Sequence, residues 1–189
     1  MKIMNSPEIQ NWRVTPSEAI KLQVNLASRV ETTGKVSTPR FVAGVDISPP
    51  DASGIATGVF VILDFPSLEP VELSPATGHL EFPYVPGLLS FREIPLLLEA
   101  CRKVTIRPDI ILVDGQGYAH PRRLGIASHL GLLLDIPTIG CAKSRLCGSH
   151  GPVGEAVGSY ADLVDKDEVI GVALRTKPGC NPIYVSTGH

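Results

Sequence analysis

The chain is short of aromatic residues (5%) and of charge (19% Asp, Glu, Lys and Arg), and its 17 basic and 19 acidic residues nearly cancel to a net −2. No global field therefore draws it to nucleic acid or to a membrane surface, and an anionic partner has to be held by a local cluster. It lacks any apolar run near the ~20 residues that span a bilayer, since the run from Gly131 to Leu134 stops at Asp135, and the opening MKIMNSPEIQ has no signal-peptide core. A soluble, cytoplasmic protein without membrane contact is the expectation. Cys101, Cys141, Cys147 and Cys180 form no Cys-x-x-Cys pair, so they read as reduced, buried thiols. The five histidines show no zinc-ligand spacing. Lys143-Ser144 follows Ala142 rather than the Gly of a phosphate-binding loop, and there is no Gly-x-Ser-x-Gly elbow for a serine nucleophile.

What is present is a 43% hydrophobic chain of 189 residues, punctuated by 18 Gly and 17 Pro. At roughly 150 residues per domain this is one compact domain with many tight connections. Thr15-Pro16-Ser17-Glu18 has capping-box spacing, and the stretch to Val30 places Ile20, Val24 and Ala27 on one apolar face of a first helix. Phe41–Ile47, Gly58–Leu63 and a segment near Val71–Leu73 read as an antiparallel meander. After Pro86 the pattern changes. Ser90 and Glu93 repeat the capping-box spacing ahead of a helix to Lys103, followed by a buried strand to Asp114, a helix from Arg123 to Leu134, and strands at 137–142, 169–174 and 183–186. Helices alternating with buried strands predict an α/β fold, a mixed sheet flanked by helices on both faces.

Asp46 and Asp114 lie near the carboxyl ends of two apolar strands. Each alone reads as a turn residue, but a carboxylate beside a core is costly unless bonded, paired or bound to a cation. If the two strands are neighbours, the acids converge where α/β sheets gather ligands. Glu93, alone a capping-box residue, is a third oxygen donor. Three carboxylates from separate elements suit Mg²⁺, which keeps several waters and takes substrate phosphate oxygens. From Asp114 to Cys147 the chain carries Arg122, Arg123, Lys143 and Arg145 against only Asp114 and Asp135. A basic edge beside candidate metal ligands points to a phosphodiester substrate.

The runs Val42–Asp46, Pro83–Glu93, Asp114–Gly125, Pro137–Lys143 and Asn181–His189 resemble, in order and spacing, the endonuclease V family of deoxyinosine-specific repair nucleases. That resemblance implies a ribonuclease-H-like fold and hydrolysis of the second phosphodiester bond 3′ to deoxyinosine, leaving 3′-hydroxyl and 5′-phosphate ends. It also implies Mg²⁺ dependence, with Mn²⁺ able to substitute, and a monomer acting on DNA. By position, Asp46, Glu93 and Asp114 match the family's metal-binding carboxylates, and His120 and Lys143 match residues near the scissile phosphate. Tyr84, between Pro83 and Val85-Pro86, matches a wedge that fills the space of a displaced base, for which a ring stiffened by prolines is suited. Hypoxanthine would be read by backbone groups at Gly87, Gly115 and Gly117, where glycine allows close approach, with Arg122 alongside. The sequence departs from the family at Ser48-Pro49-Pro50, where an aromatic is more usual, and at Cys141. The family also continues past Gly188-His189 with another helix, so the expectation is a single catalytic domain, 1–189, lacking that element and exposing apolar sheet. An inosine-specific endoribonuclease, a related nuclease for mismatched or branched DNA, and a lesion-binding module are the alternatives.

Overall fold

The computed structural model describes residues 12–189. The reading of MKIMNSPEIQ therefore lies outside the described residues. Helix α1 spans Pro16–Ala27 and opens on the expected capping box: the Glu18 amide donates to Thr15 Oγ1 at 3.3 Å, and the Thr15 amide to Glu18 Oε2 at 2.7 Å. Its buried face differs from expectation. Ala19, Gln23 and Leu26 are buried, whereas Ile20 and Val24 are exposed. Both stripes have helical spacing. The one containing a polar residue faces inward because Ala19 closes against Phe82, Leu88 and Phe91, and Gln23 finds buried carbonyls.

Strands β1 (Phe41–Ile47), β2 (Ile55–Asp64) and β3 (Pro70–His79) form the expected meander. Helix α2 (Leu89–Lys103), β4 (Ile110–Val113), α3 (Ile126–Leu134) and β5 (Thr138–Ala142) follow, then β6 (Tyr160–Asp165), β7 (Glu168–Leu174) and β8 (Ile183–Thr187). They build one eight-stranded mixed sheet in the order β3-β2-β1-β4-β5-β8-β7-β6. Pairs β1/β4 and β4/β5 are parallel and the rest antiparallel. Strand β6 was not anticipated. It turns into β7 through Lys166 and Asp167, both at positive φ, a hairpin geometry that usually announces itself with Asn or Gly.

Two helix starts also differ. Helix α2 begins at Leu89, and Ser90 is buried in its first turn with Oγ unbonded among the described residues, so no second capping box forms. Helix α3 starts at Ile126 rather than Arg123, because Arg123 takes φ 57° and spends its guanidinium on Asp165 and Glu168.

Leu26 of α1, Leu97 of α2 and Leu130 of α3 share one core cluster with Ala43, Val45, Phe60, Ile62, Ile111 and Val113 of the sheet. Cover was expected on both faces; within the described residues the helices lie on one. The two parallel crossovers, β3 to β4 through α2 and β4 to β5 through α3, advance in the same direction across the sheet, and right-handed connections that do so place their helices on the same side. The other face presents Val59, Val61, Leu112 and Cys141, with Leu112 exposed. All four cysteines are free; Cys101 is buried as expected, but Cys180 is exposed. Among the described residues no helix is long and apolar enough to cross a membrane.

Candidate active site

The parallel register pairs Val45 of β1 with Val113 of β4. Asp46 and Asp114, one residue further on, therefore lie side by side at the carboxyl ends of neighbouring strands. Asp46 Oδ1 accepts the Ile47 amide at 2.7 Å. Glu93 reaches the same region from the second turn of α2, which packs across β1, β2 and β3. Burial pushes the Glu93 carboxyl up to about 7 from the ordinary 4.5, and the charges of Asp46 and Asp114 push it the same way against the opposing pull of Arg92. Burial accounts for most of that shift, and the neighbouring negative charges add to it. Lys143, just past β5, ion-pairs with Asp114, and this bond and charge hold its ammonium above the usual lysine value.

Among the described residues no three His, Cys, Asp or Glu side chains form a closed metal cage. The donor chemistry nevertheless fits a hard divalent cation. The three acids offer only oxygen and come from separate elements, and the charges of Asp46 and Asp114 raise the proton affinity of Glu93, a repulsion that a cation would relieve.

Beside the acids lies a cavity of about 240 Å³, lined by Tyr84, Gly87, His120, Gly115, Ile126 and Lys143 among others. It reaches Asp114 but not Asp46 or Glu93; Asp46 borders a separate, shallower depression with Val59, Leu112 and Cys141. The cavity and the acids thus share Asp114 and are displaced from each other. Tyr84 is 70% exposed, on a loop at the cavity's lip between the buried Phe82 and Leu88. Val85 and Pro86 also line the cavity, whereas Pro83 and Arg122 do not. Gly115 lines it, but a Cβ there would strike Ile126. Gly117 stays out of it, and a Cβ on Gly117 would run into the Thr187 carbonyl, so its small size serves packing against β8.

His120 is buried at 2% exposure. Its Nδ1 accepts the Arg122 amide at 3.1 Å, which leaves Nε2 to carry the proton and donate to the Gly87 carbonyl at 2.9 Å. Burial lowers its value to about 4, so the ring is neutral near pH 7. Gln23, which sequence reasoning passed over, lines the same cavity from α1. The signal that could have found it is a lone amide in the Ala19–Gln23–Leu26 stripe. Gln116 was passed over too; its Nε2 donates to the Ser144 carbonyl at 2.7 Å, tying the Gly115–Gly117 loop to the segment after Lys143.

The sequence model described as Endonuclease V matches residues 24–189. Endonuclease V of Dehalococcoides mccartyi is 50% identical over 182 residues, 96% of this chain and 82% of the relative. That of Myxococcus xanthus is 51% identical over 184 residues, 97% and 78% of the two chains. Among solved structures, Bacillus subtilis endonuclease V superposes with TM-score 0.92 at 31% identity, covering 100% of this chain and 82% of that one. A Ciona intestinalis endonuclease V, in complex with a 24mer DNA containing an inosine followed by a ribo-adenosine, does so with TM-score 0.78 at 28% identity, covering 92% and 82%.

Proposed function

The chain belongs to the endonuclease V family, and from that premise we propose that it is a Mg²⁺-dependent repair endonuclease that recognises deoxyinosine in DNA and hydrolyses the second phosphodiester bond on its 3′ side. The observation that carries this reading is the displacement just described, a small cavity offset from an acid cluster and joined to it through Asp114. At about 240 Å³ the cavity is smaller than the ~300–1,000 Å³ that takes drug-sized ligands, so it suits one flipped base. Seating the base there leaves the acids over the backbone further along the strand. The complex of the Ciona relative with inosine-containing DNA supports the substrate class.

In this reading Asp46, Glu93 and Asp114 hold the cation, Mg²⁺ or in its place Mn²⁺. The cation supplies Lewis acidity, making water more acidic and stabilising charge that develops on the phosphate. Lys143, which pairs with Asp114 in the free protein, turns to the phosphate and adds a second positive charge to it. The bond broken lies between phosphorus and the 3′ oxygen, and the oxygen of water remains on the new 5′-phosphate. Tyr84, framed by Pro83, Val85 and Pro86, stacks where the base has left, which offsets part of an unstacking cost of a few kcal/mol. Gly87 and Gly115 form walls of the base pocket. His120 is neutral and donates its Nε2 proton to a backbone carbonyl, which suits it to shape the site.

A panel of matched strands tests the reading: duplex DNA with one deoxyinosine, the same duplex with deoxyadenosine, and RNA with one inosine, each with Mg²⁺ present or chelated. The ribo-adenosine in the Ciona complex is the reason for the RNA arm. Nicking of the deoxyinosine strand only, and only with Mg²⁺, is expected. Asp46→Ala and Asp114→Ala should abolish it while retaining lesion binding; full activity in either variant contradicts the metal assignment.

A further inference from the structure

The Gly87 carbonyl is the meeting point of three donors from two other segments of the chain. Gln23 Nε2 from α1, Arg122 Nη2 and His120 Nε2 from the loop after β4 each approach it at 2.9 Å. Gln23 closes the ring. Its Oε1 accepts Arg122 Nε at 2.6 Å, and its Nε2 also reaches the Leu124 carbonyl at 3.1 Å. Gln23 is only 1% exposed, a burial that an amide tolerates when its polar atoms are bonded, as both are here. Gly87 is adapted to the same arrangement: its φ is +80°, and a Cβ on it would stand 2.9 Å from Arg122 Nη2.

Gly87 is three residues from Tyr84, at the inner end of the loop that bears it. The loop after β4 is held from its other side as well. Arg123 Nη1 donates to the His120 carbonyl at 2.9 Å, while Arg123 also bonds Glu168 and Asp165, and Glu168 accepts the Tyr118 hydroxyl at 2.6 Å. The His120 loop is therefore anchored to the β6–β7 hairpin. Among the described residues, the hydrogen bonds that join the Tyr84 loop to that anchored loop, from His120 and Arg122, both end on the Gly87 carbonyl.

We propose that Gln23 is a positioning residue, which locks the Tyr84 loop to the His120 loop through the Gly87 carbonyl and so holds the ring rigid at the cavity's lip. The proposal rests on the reading of Tyr84 and the cavity as the parts that open a duplex and receive a base. Rigidity at that point matters when two strands have to be parted and much less when the base is already unpaired. Loss of the clamp should therefore separate duplex from single-stranded substrates.

The test uses the full chain with Gln23→Met, which keeps length and burial but loses all three polar bonds, and Gln23→Glu, which keeps an acceptor for Arg122 and loses the donor to Gly87 and Leu124. Amide hydrogen exchange across residues 84–88 should accelerate roughly tenfold in both variants, the factor that one buried hydrogen bond is worth. Turnover on a deoxyinosine duplex should fall about tenfold, and on the same strand alone by less than about threefold. Unchanged exchange, or equal losses on both substrates, would overturn the proposal. Should the Gln23 variants not fold, Arg122→Lys, which loses the bond to Gln23, is expected to loosen the same amides. If the wild-type protein cuts no inosine-containing strand, the nuclease reading fails, and the exchange measurement still decides the clamp.

Discussion

Replacing Glu93 with Gln should stabilise the metal-free protein while disarming it. The Glu93 carboxyl is pushed up to about 7 by burial, then by Asp46 and Asp114, from an ordinary 4.5. A carboxyl whose folded value lies above its unfolded one contributes stability that is fully present below the unfolded value and is lost as pH rises through the folded value. The window here runs from about 4.5 to about 7. At about 1.4 kcal/mol per unit the whole shift corresponds to about 3 kcal/mol, and solvent screening of a half-buried group reduces it to about 2 kcal/mol. Gln has the shape of the protonated acid and no charge, so the variant escapes the loss. It should melt roughly 4–8 °C above the wild type at about pH 8 in chelator, with little difference near pH 5. Adding Mg²⁺ should raise the melting temperature of the wild type and leave the variant nearly unmoved. Calorimetry in chelator and in Mg²⁺, at both pH values, reads all four conditions. A variant that melts at or below the wild type at about pH 8 in chelator would refute the burial and repulsion that penalise an ionised Glu93.

Lys143→Ala should tighten Mg²⁺ binding severalfold by removing the ammonium that occupies Asp114, yet slow cleavage by about 10²-fold or more; isothermal titration and single-turnover rates give the two numbers. Tyr84→Ala, at a site 70% exposed, should leave the melting temperature within about 1 °C and reduce cleavage of duplex more than of single strands; a clear loss of stability would instead make Tyr84 a core residue. Thr15→Ala removes both bonds of the Thr15 hydroxyl at the α1 N-cap and should cost about 1 kcal/mol in urea unfolding, without changing the relative rates on the two substrates.

The parts of the fold legible in the sequence were those set by local chemistry. Strand β1 runs over Phe41–Ile47 as read, because a β-branched apolar run bounded by turn residues leaves little choice of ends. The convergence of Asp46 and Asp114 required only that β1 and β4 be neighbours, which they are. What escaped was decided by tertiary partners. Gln23 lies in the buried stripe because carbonyls from two distant loops accept its protons, and no neighbour in sequence announces that. Ser90 has the spacing of a cap but sits inside the helix, whose first turn is set by the packing of Leu88 and Phe91 against Ala19 and Phe82. Arg123 resembles a helical residue until the β6–β7 hairpin supplies Asp165 and Glu168. Gly117, read as room for a base, is room for β8.

The central claim is that a base held in the cavity delivers a phosphate further along the strand to Asp46, Glu93 and Asp114. The most direct measurement is the position of the nick in an end-labelled duplex carrying a single deoxyinosine, resolved to one nucleotide in the presence of Mg²⁺. The account predicts a single cut at the second phosphodiester bond 3′ to the lesion, with 3′-hydroxyl and 5′-phosphate ends. A cut directly at the lesion, or cuts that ignore its position, would contradict it.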